Sequence, residues 1–195
     1  MIPPVQVTPP AALPVSPAEV KLQARLTHTT SAEDTLISAL IATAVAHLDG
    51  FTGILGRCLV DQVWEQGYRC WGRVLRLPFP DVSSVTVTYF DTLAIEQTVS
   101  DDLYELVRGV SGSEIRFKDA FTAPALDTDR FCPVQVNLTA GYGETAADVP
   151  APIRTAILLL VAHWYEHREA VAEGPVAELP MAVQSLITPY RRVGV

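Results

Sequence analysis

The sequence predicts an α+β fold in which a helical core carries a small antiparallel β insertion. Apolar residues recur at spacings of three and four before residue 50 and again after residue 150, which is typical of amphipathic helices. Between residues 57 and 140 the pattern changes to short runs of valine, leucine and aromatic residues separated by glycine, proline, aspartate and serine. Helices and strands that occupy separate stretches of the chain favour an α+β architecture.

The division into parts follows from the prolines. Residues 1–15 contain five prolines and no apolar periodicity, so we expect an extended arm that becomes ordered on a neighbouring protein. A single domain is predicted over residues 16–188, with the β insertion at 57–140. Residues 189–195 are predicted to be a C-terminal tail, because Pro189 ends the last helix.

Two N-terminal helices are predicted from their capping residues. Ser16, Pro17 and Glu19 supply a cap, a first-turn proline and a capping-box glutamate for a short helix. Ser31 and Asp34 repeat this signature at the start of a second helix. The apolar stripe of the second helix consists of Ile37, Leu40, Ile41, Ala44, Val45 and Leu48.

The predicted strands and the remaining helices follow in order. Six runs have the composition or alternation of strands: 59–65, 74–77, 85–90, 104–107, 114–117 and 134–138. Pro150 and Pro152 suit the first turn of a long helix, which we predict near residues 151–172. Pro180 then begins a short C-terminal helix.

A series of short motifs carries a family resemblance. In chain order they are Val20-Lys21-Leu22 with Arg25-Leu26, Asp34, Phe51-Thr52-Gly53, Gln62-Val63-Trp64, Leu77-Pro78-Phe79-Pro80, Val85-Thr86-Val87-Thr88-Tyr89-Phe90-Asp91, Ala140-Gly141-Tyr142-Gly143, Val149-Pro150 with Ile153, Ala156-Ile157-Leu158-Leu159-Leu160, Tyr165-Glu166-His167-Arg168-Glu169, Leu179-Pro180 and Pro189-Tyr190-Arg191-Arg192. Over roughly residues 16–192 their order and spacing resemble the head-to-tail connector, or adaptor, proteins of tailed bacteriophages and phage-derived gene transfer agents. The chain departs from the family at Thr92-Leu93-Ala94, where a glycine turn is common, and at His167, where asparagine is more frequent.

The resemblance implies a structural protein and no enzyme. Members of the family form a ring of about twelve copies beneath the capsid portal, which joins head to tail and gives passage to DNA. The implied partners are the portal protein, a tail-side connector or stopper protein, and further copies of the same chain. The implied location is the head-tail interface of a virion or phage-like particle, reached from the bacterial cytoplasm.

Charge and hydropathy limit the other classes of function. The 195 residues carry a formal net charge of -8, which argues against a protein that grips the phosphate backbone. An acidic channel would let DNA pass without binding it, but acidity also keeps an ordinary protein soluble, and both interpretations stay open. No apolar run approaches the roughly 20 residues of a membrane span, so no membrane partner is expected.

One catalytic pattern competes with the structural interpretation. His163, Glu166 and His167 match the H-x-x-E-H order of some zinc peptidases, and histidines four apart on a helix share a face. The first alternative is therefore a small metal-dependent hydrolase. The simpler interpretation is a helix whose histidines lie near its C-terminal end, where positive charge is favourable. We predict no catalytic, cofactor-binding or metal-binding residue, and a binding or chaperone-like module is a third alternative.

The candidate partner interface lies in the C-terminal tail. Tyr190, Arg191 and Arg192 offer one aromatic ring and two guanidinium groups, which are enriched in protein interfaces. We predict that these three residues contact the portal.

Overall fold

The computed structural model describes residues 2–26, 31–109, 112–167 and 181–192, and the chain divides into two compact units. The β unit comprises Met1–Ala11, Asp61–Gly141 and Arg192–Val195. The helical unit comprises Ala12–Val60 and Tyr142–Arg191. Among the described helices, none combines the length and the apolar character needed to cross a membrane.

In the part of the β unit that the structure describes, the strands form two antiparallel sheets. Its strands are β1 (Val5–Thr8), β2 (Gln62–Tyr68), β3 (Val74–Arg76), β4 (Val82–Phe90), β5 (Glu96–Thr98), β6 (Tyr104–Gly109), β7 (Gly112–Phe117) and β8 (Val134–Ala140). The first sheet has five strands in the order β1-β2-β8-β4-β5, and the second has three in the order β3-β7-β6. The edges of the five-stranded sheet are therefore β1 and β5.

Strand β8 forms the centre of the five-stranded sheet. Leu138 of β8 faces Trp64 of β2 on one side and Val85 of β4 on the other. Alternate residues of β8, beginning with Val134, are buried. This alternation is the period of a strand with one face on the core, and it explains why the run was visible in the sequence.

The described residues of the helical unit form four α-helices. They are α1 (Pro17–Gln23), α2 (Ser31–Leu48), α3 (Ala151–Glu166) and α4 (Met181–Ile187). Ser16 and Glu19 form the predicted capping box of α1. Arg154 of α3 ties this start of α1 in place, because its Nη2 lies 2.5 Å from Glu19 Oε1 and its Nε donates to the carbonyl oxygen of Pro14 at 3.2 Å.

The predicted helical core with a small β insertion is wrong. Among the described residues, eight strands in two antiparallel sheets outnumber four α-helices. Two strands were missed because β1 is a run of only four residues, Val5-Gln6-Val7-Thr8, inside a proline-rich segment, and because β5 has three residues and none of them is apolar. The predicted run 59–65 begins too early, since Leu59 and Val60 pack in the apolar core of the helical unit. The last part of the predicted long helix, residues 168–172, lies outside the described residues.

The predicted division into an arm, one domain and a tail stays a prediction. Part of the proline-rich segment forms β1, paired antiparallel with β2. The remainder of residues 2–15 contains no helix or strand.

Candidate interaction surfaces

The predicted tail residues lie in three different environments. Tyr190 ends a 3-10 turn, Thr188–Tyr190, and packs half-buried against the apolar core of the helical unit. Arg191 is exposed. Arg192 is half-buried, and its Nη1 donates to the carbonyl oxygen of Pro78 within the β unit. Of the three predicted contact residues, Arg191 is therefore the one most open to a partner, and the portal contact itself stays a prediction.

The two histidines of the H-x-x-E-H pattern lie at the C-terminal end of α3. The ring centroids of His163 and His167 are 4.5 Å apart. His167 lies next to a backbone carbonyl, since its Nδ1 and its backbone nitrogen are each 3.0 Å from the oxygen of His163. Glu166 is exposed. Within the described ranges, no group of three or more histidine, cysteine, aspartate or glutamate side chains is placed to hold a metal ion.

The turn between β4 and β5 is held together by one carboxylate. Asp91 Oδ1 accepts hydrogen bonds from the backbone N–H groups of Leu93 at 2.9 Å and Ile95 at 3.1 Å. Asp91 Oδ2 accepts one from Gln97 Nε2 at 3.1 Å. The main chain adds bonds from Asp91 N to the Ile95 oxygen at 3.0 Å and from Ala94 N to the Asp91 oxygen at 2.9 Å. The turn is thus an ordered structure.

The same hydrogen bonds keep the Asp91 carboxylate charged. The bond from the Ile95 backbone, followed by those from Leu93 and Gln97, lowers the pKa of Asp91 below its ordinary value of 3.8, against a smaller opposing effect of desolvation. The side chain is therefore ionised at neutral pH, where it is the better acceptor.

This ordered turn displays apolar side chains to solvent. Leu93 is 76% exposed and Ile95 is 52% exposed. Ala94 adopts the left-handed backbone conformation, with φ of 58°, that glycine would adopt without strain. The sequence did contain a signal here, because Thr92-Leu93-Ala94 replaces a glycine turn, but its meaning depends on the exposure that only the structure gives.

The opposite edge of the sheet is held by glutamine side chains. Gln6 Nε2 in β1 donates to Gln62 Oε1, and Gln66 Nε2 donates to the carbonyl oxygen of Ile2 at 2.8 Å. Both Gln62 and Gln66 are buried in β2. Val5 and Val7 of β1 are 63% and 54% exposed. The arm is thus attached through polar contacts, while its valines face solvent.

An aromatic cleft lies in the β unit. Its volume is about 340 Å³, and its walls include Trp71, Phe117 and Phe121. The Trp71 ring also contacts the Tyr89 ring, and the two ring centroids are 5.5 Å apart. Tyr89 lies two residues before Asp91 in the chain. At the rim of the cleft, Arg73 Nη2 lies 2.7 Å from an Asp119 carboxylate oxygen.

Comparison with solved structures gives full-length likenesses. A chain from the virion of a native gene transfer agent particle is 25% identical, with a TM-score of 0.79 and with 100% of this chain and 97% of that chain covered. A chain from the neck of an empty gene transfer agent particle, computed with C6 symmetry, is 24% identical with the same TM-score and coverage. A third, from the neck of a native particle computed with C12 symmetry, is 24% identical, with a TM-score of 0.70 and the same coverage.

No protein-family model matches the chain, and no curated protein matches it. The two likenesses at 24% identity establish the fold alone.

Proposed function

We propose that this chain is a structural connector subunit of the neck of a phage-like particle, where it forms a ring beneath the capsid portal and joins head to tail. The observation that carries the proposal is the full-length likeness to a chain of a gene transfer agent virion, with a TM-score of 0.79 at 25% identity. The predicted location in a phage-like particle is confirmed by this likeness. A particle component of this kind is structural, and its function depends on its surfaces.

A ring of about twelve copies is supported by the symmetry of the neighbouring structures. Two of them are necks computed with C6 and C12 symmetry. A closed ring needs a head-to-tail contact between two different faces of each subunit. The net charge of -8 suits a ring whose channel lets DNA pass, because carboxylates repel the phosphate backbone and bind no part of it.

The proposed partners are the portal protein on one side of the ring and a tail-side connector or stopper protein on the other. The exposed guanidinium of Arg191 is the group we propose for the portal contact. Tyr190 and Arg192 support its position, since both lie against the folded chain. The hydrolase alternative gains no support from the described part of α3, where the two histidines lie without a third metal ligand.

The proposal is tested by deleting the gene that encodes this chain from a bacterium that produces the phage-like particle. We expect DNA-filled heads without attached tails, counted by electron microscopy, and restoration of tailed particles by the wild-type gene. Antibodies against the chain should label the head-tail junction of complete particles. Tailed particles at the wild-type number in the deletion strain would refute the proposal.

The contribution of Arg191 is tested in the same complementation assay. An Arg191→Glu variant should fold normally, because the residue is exposed, and should restore few tailed particles. Arg25→Glu, which changes another exposed arginine of the helical unit, is the matched control. Equal restoration by both variants would exclude the predicted portal contact.

A further inference from the structure

We propose that the β4–β5 turn of one copy of this chain, residues 91–95, docks in the aromatic cleft of the next copy around the ring, with Leu93 and Ile95 as its apolar anchors. This inference rests on the proposed function, because it assigns the contact between neighbouring subunits of the connector ring.

The β4–β5 turn presents apolar side chains on an ordered support. Exposed turns favour glycine, asparagine, aspartate and serine. Leu93 and Ile95 are instead large and apolar, and they are 76% and 52% exposed, so both remain open to a partner. Asp91 Oδ1 already holds the backbone at these two residues, so a partner spends little free energy on ordering the turn. Exposed apolar residues on such a support have the character of an interface anchor.

The aromatic cleft is a preformed apolar pocket. The Phe121 ring stacks on that of Phe117 with centroids 4.2 Å apart, and its centroid lies 5.1 Å from that of Trp71. Trp71 Nε1 donates to the carbonyl oxygen of Pro124 at 3.0 Å, which fixes the indole. The cleft volume of about 340 Å³ lies at the lower end of the roughly 300–1,000 Å³ of ligand pockets, which suits a small apolar anchor.

The charges of the turn and of the cleft are complementary. Asp91 and Glu96 lie on either side of the two anchors. Arg73 and Lys118 lie at the rim of the cleft. Arg73 pairs with Asp119, but the two side chains are 81% and 88% exposed, and a pair in water rearranges at small cost. Among the described residues, Lys118 forms no ion pair, so the rim can receive carboxylates from a partner.

Two observations favour a second copy of this chain as the partner. Copies with a net charge of -8 repel one another, so a contact between them must join local charges of opposite sign, as the acidic turn and the basic rim do. The structural neighbours include necks computed with C6 and C12 symmetry. A ring of identical chains is closed by contacts between two unlike surfaces, and every copy carries both the turn and the cleft.

The first test changes each of the two surfaces beside a matched control. Leu93→Asp charges the anchor, with Thr92→Asp as its control, and Ala123→Glu charges the cleft wall, with the exposed loop variant Ala125→Glu as its control. In the complementation assay, Leu93→Asp and Ala123→Glu should each reduce tailed particles on the order of 10-fold, and the controls less than about 2-fold. Thermal unfolding of the four purified variants should match the wild type, which separates docking from folding. Wild-type numbers of tailed particles with either Leu93→Asp or Ala123→Glu would overturn the proposal.

The second test maps the contact in assembled particles. A photo-crosslinking amino acid at position 93 should attach to a second copy of this chain, within the tryptic peptides 70–73 or 119–130, which contain Trp71 and Phe121. Denaturing gels should show a series of products larger than dimers, because each copy is linked to two neighbours.

Two results of the crosslinking would overturn the proposal. Products that stop at the dimer would show a reciprocal exchange between paired copies, and an adduct with a different protein would show another partner. If the wild-type chain is absent from purified particles, the proposed function fails as well, so the two failures are distinguishable.

Discussion

At one edge of the five-stranded sheet, β1 is attached through buried glutamine amides, whereas at the opposite edge β5 is attached through a turn that one carboxylate organises. The β1 edge has Gln62 and Gln66 beneath it. The β5 edge depends on Asp91, which accepts three hydrogen bonds from Leu93, Ile95 and Gln97. Both edges expose apolar side chains, but they hold those side chains by different chemistry.

Because of this difference, the two edges should respond differently when the hydrogen bonds that hold them are broken. Glutamine amides exchange their protein hydrogen bonds for bonds to water at small net cost, so the surface under β1 tolerates exposure. The β4–β5 turn depends on an ionised group, so its order responds to protonation. We therefore expect that the arm can be removed at small cost and that the β4–β5 turn is sensitive to pH.

The largest predicted effect compares the arm with the centre of the same sheet. Deletion of residues 2–8 should lower the free energy of unfolding by about 1–2 kcal/mol, because the four residues of β1 bury no side chain and the rest of the segment buries only Pro4 and part of Ile2. Leu138→Ala, at a position that is 1% exposed in β8, should lower it by about 2–5 kcal/mol. Urea unfolding followed by tryptophan fluorescence measures both values. An arm deletion as costly as Leu138→Ala would show that β1 is an integral strand.

The next predicted effect is a difference between the two edges in their response to acid. The pKa of Asp91 is lower in the folded protein than its ordinary value of 3.8, so its contribution is complete above that value and is lost as the pH falls through the lowered pKa. The amide signals of Leu93 and Ile95 should therefore shift below pH 3.8, while the side-chain amide signals of Gln6 and Gln66 stay constant, because both donate to uncharged oxygens. NMR titration between pH 2 and about 6 resolves each residue. Side-chain amide shifts of Gln6 and Gln66 that follow those of the β4–β5 turn would contradict the distinction.

The smallest predicted effect concerns strain in the turn. Ala94→Gly removes the cost of a left-handed alanine but increases the freedom of the unfolded chain, so the two terms partly offset one another. We expect the melting temperature to rise by about 1–3 °C in differential scanning calorimetry. Ala125→Gly, at an exposed loop position, should lower it by a similar amount. A lower melting temperature for Ala94→Gly than for the wild type would mean that Ala94 carries no conformational strain.

The sequence could predict features that depend on interactions between residues close together in the chain, and it could not predict those that depend on distant residues. The start of α1 was predictable because Ser16 and Glu19 bond to each other within one helical turn. Strand β1 was not predictable, because the side-chain bond from Gln6 to Gln62 joins positions 56 residues apart and the side chains of β1 are exposed. The proline-rich composition there indicated an extended segment but no pairing.

Prediction from the sequence was limited in the same way at the candidate interaction surfaces. The tail was identified by residue type, yet the bond from Arg192 to Pro78 joins positions 114 residues apart in the chain. The turn between β4 and β5 was visible only as a missing glycine after Asp91. The exposure of Leu93 in that turn depends on how the whole sheet is arranged.

The central position of β8 determines when the β unit can fold during synthesis. Strands β2 and β4 both pair with β8, whose last residue, Ala140, faces Gln62. A ribosome that adds 5–20 residues per second needs roughly 4–16 s to travel from the first of these two residues to the second. During that interval β2 has no central partner, and its apolar residues are exposed to other chains. The rate of translation and the presence of chaperones should therefore control the yield of soluble protein more strongly than the final stability does.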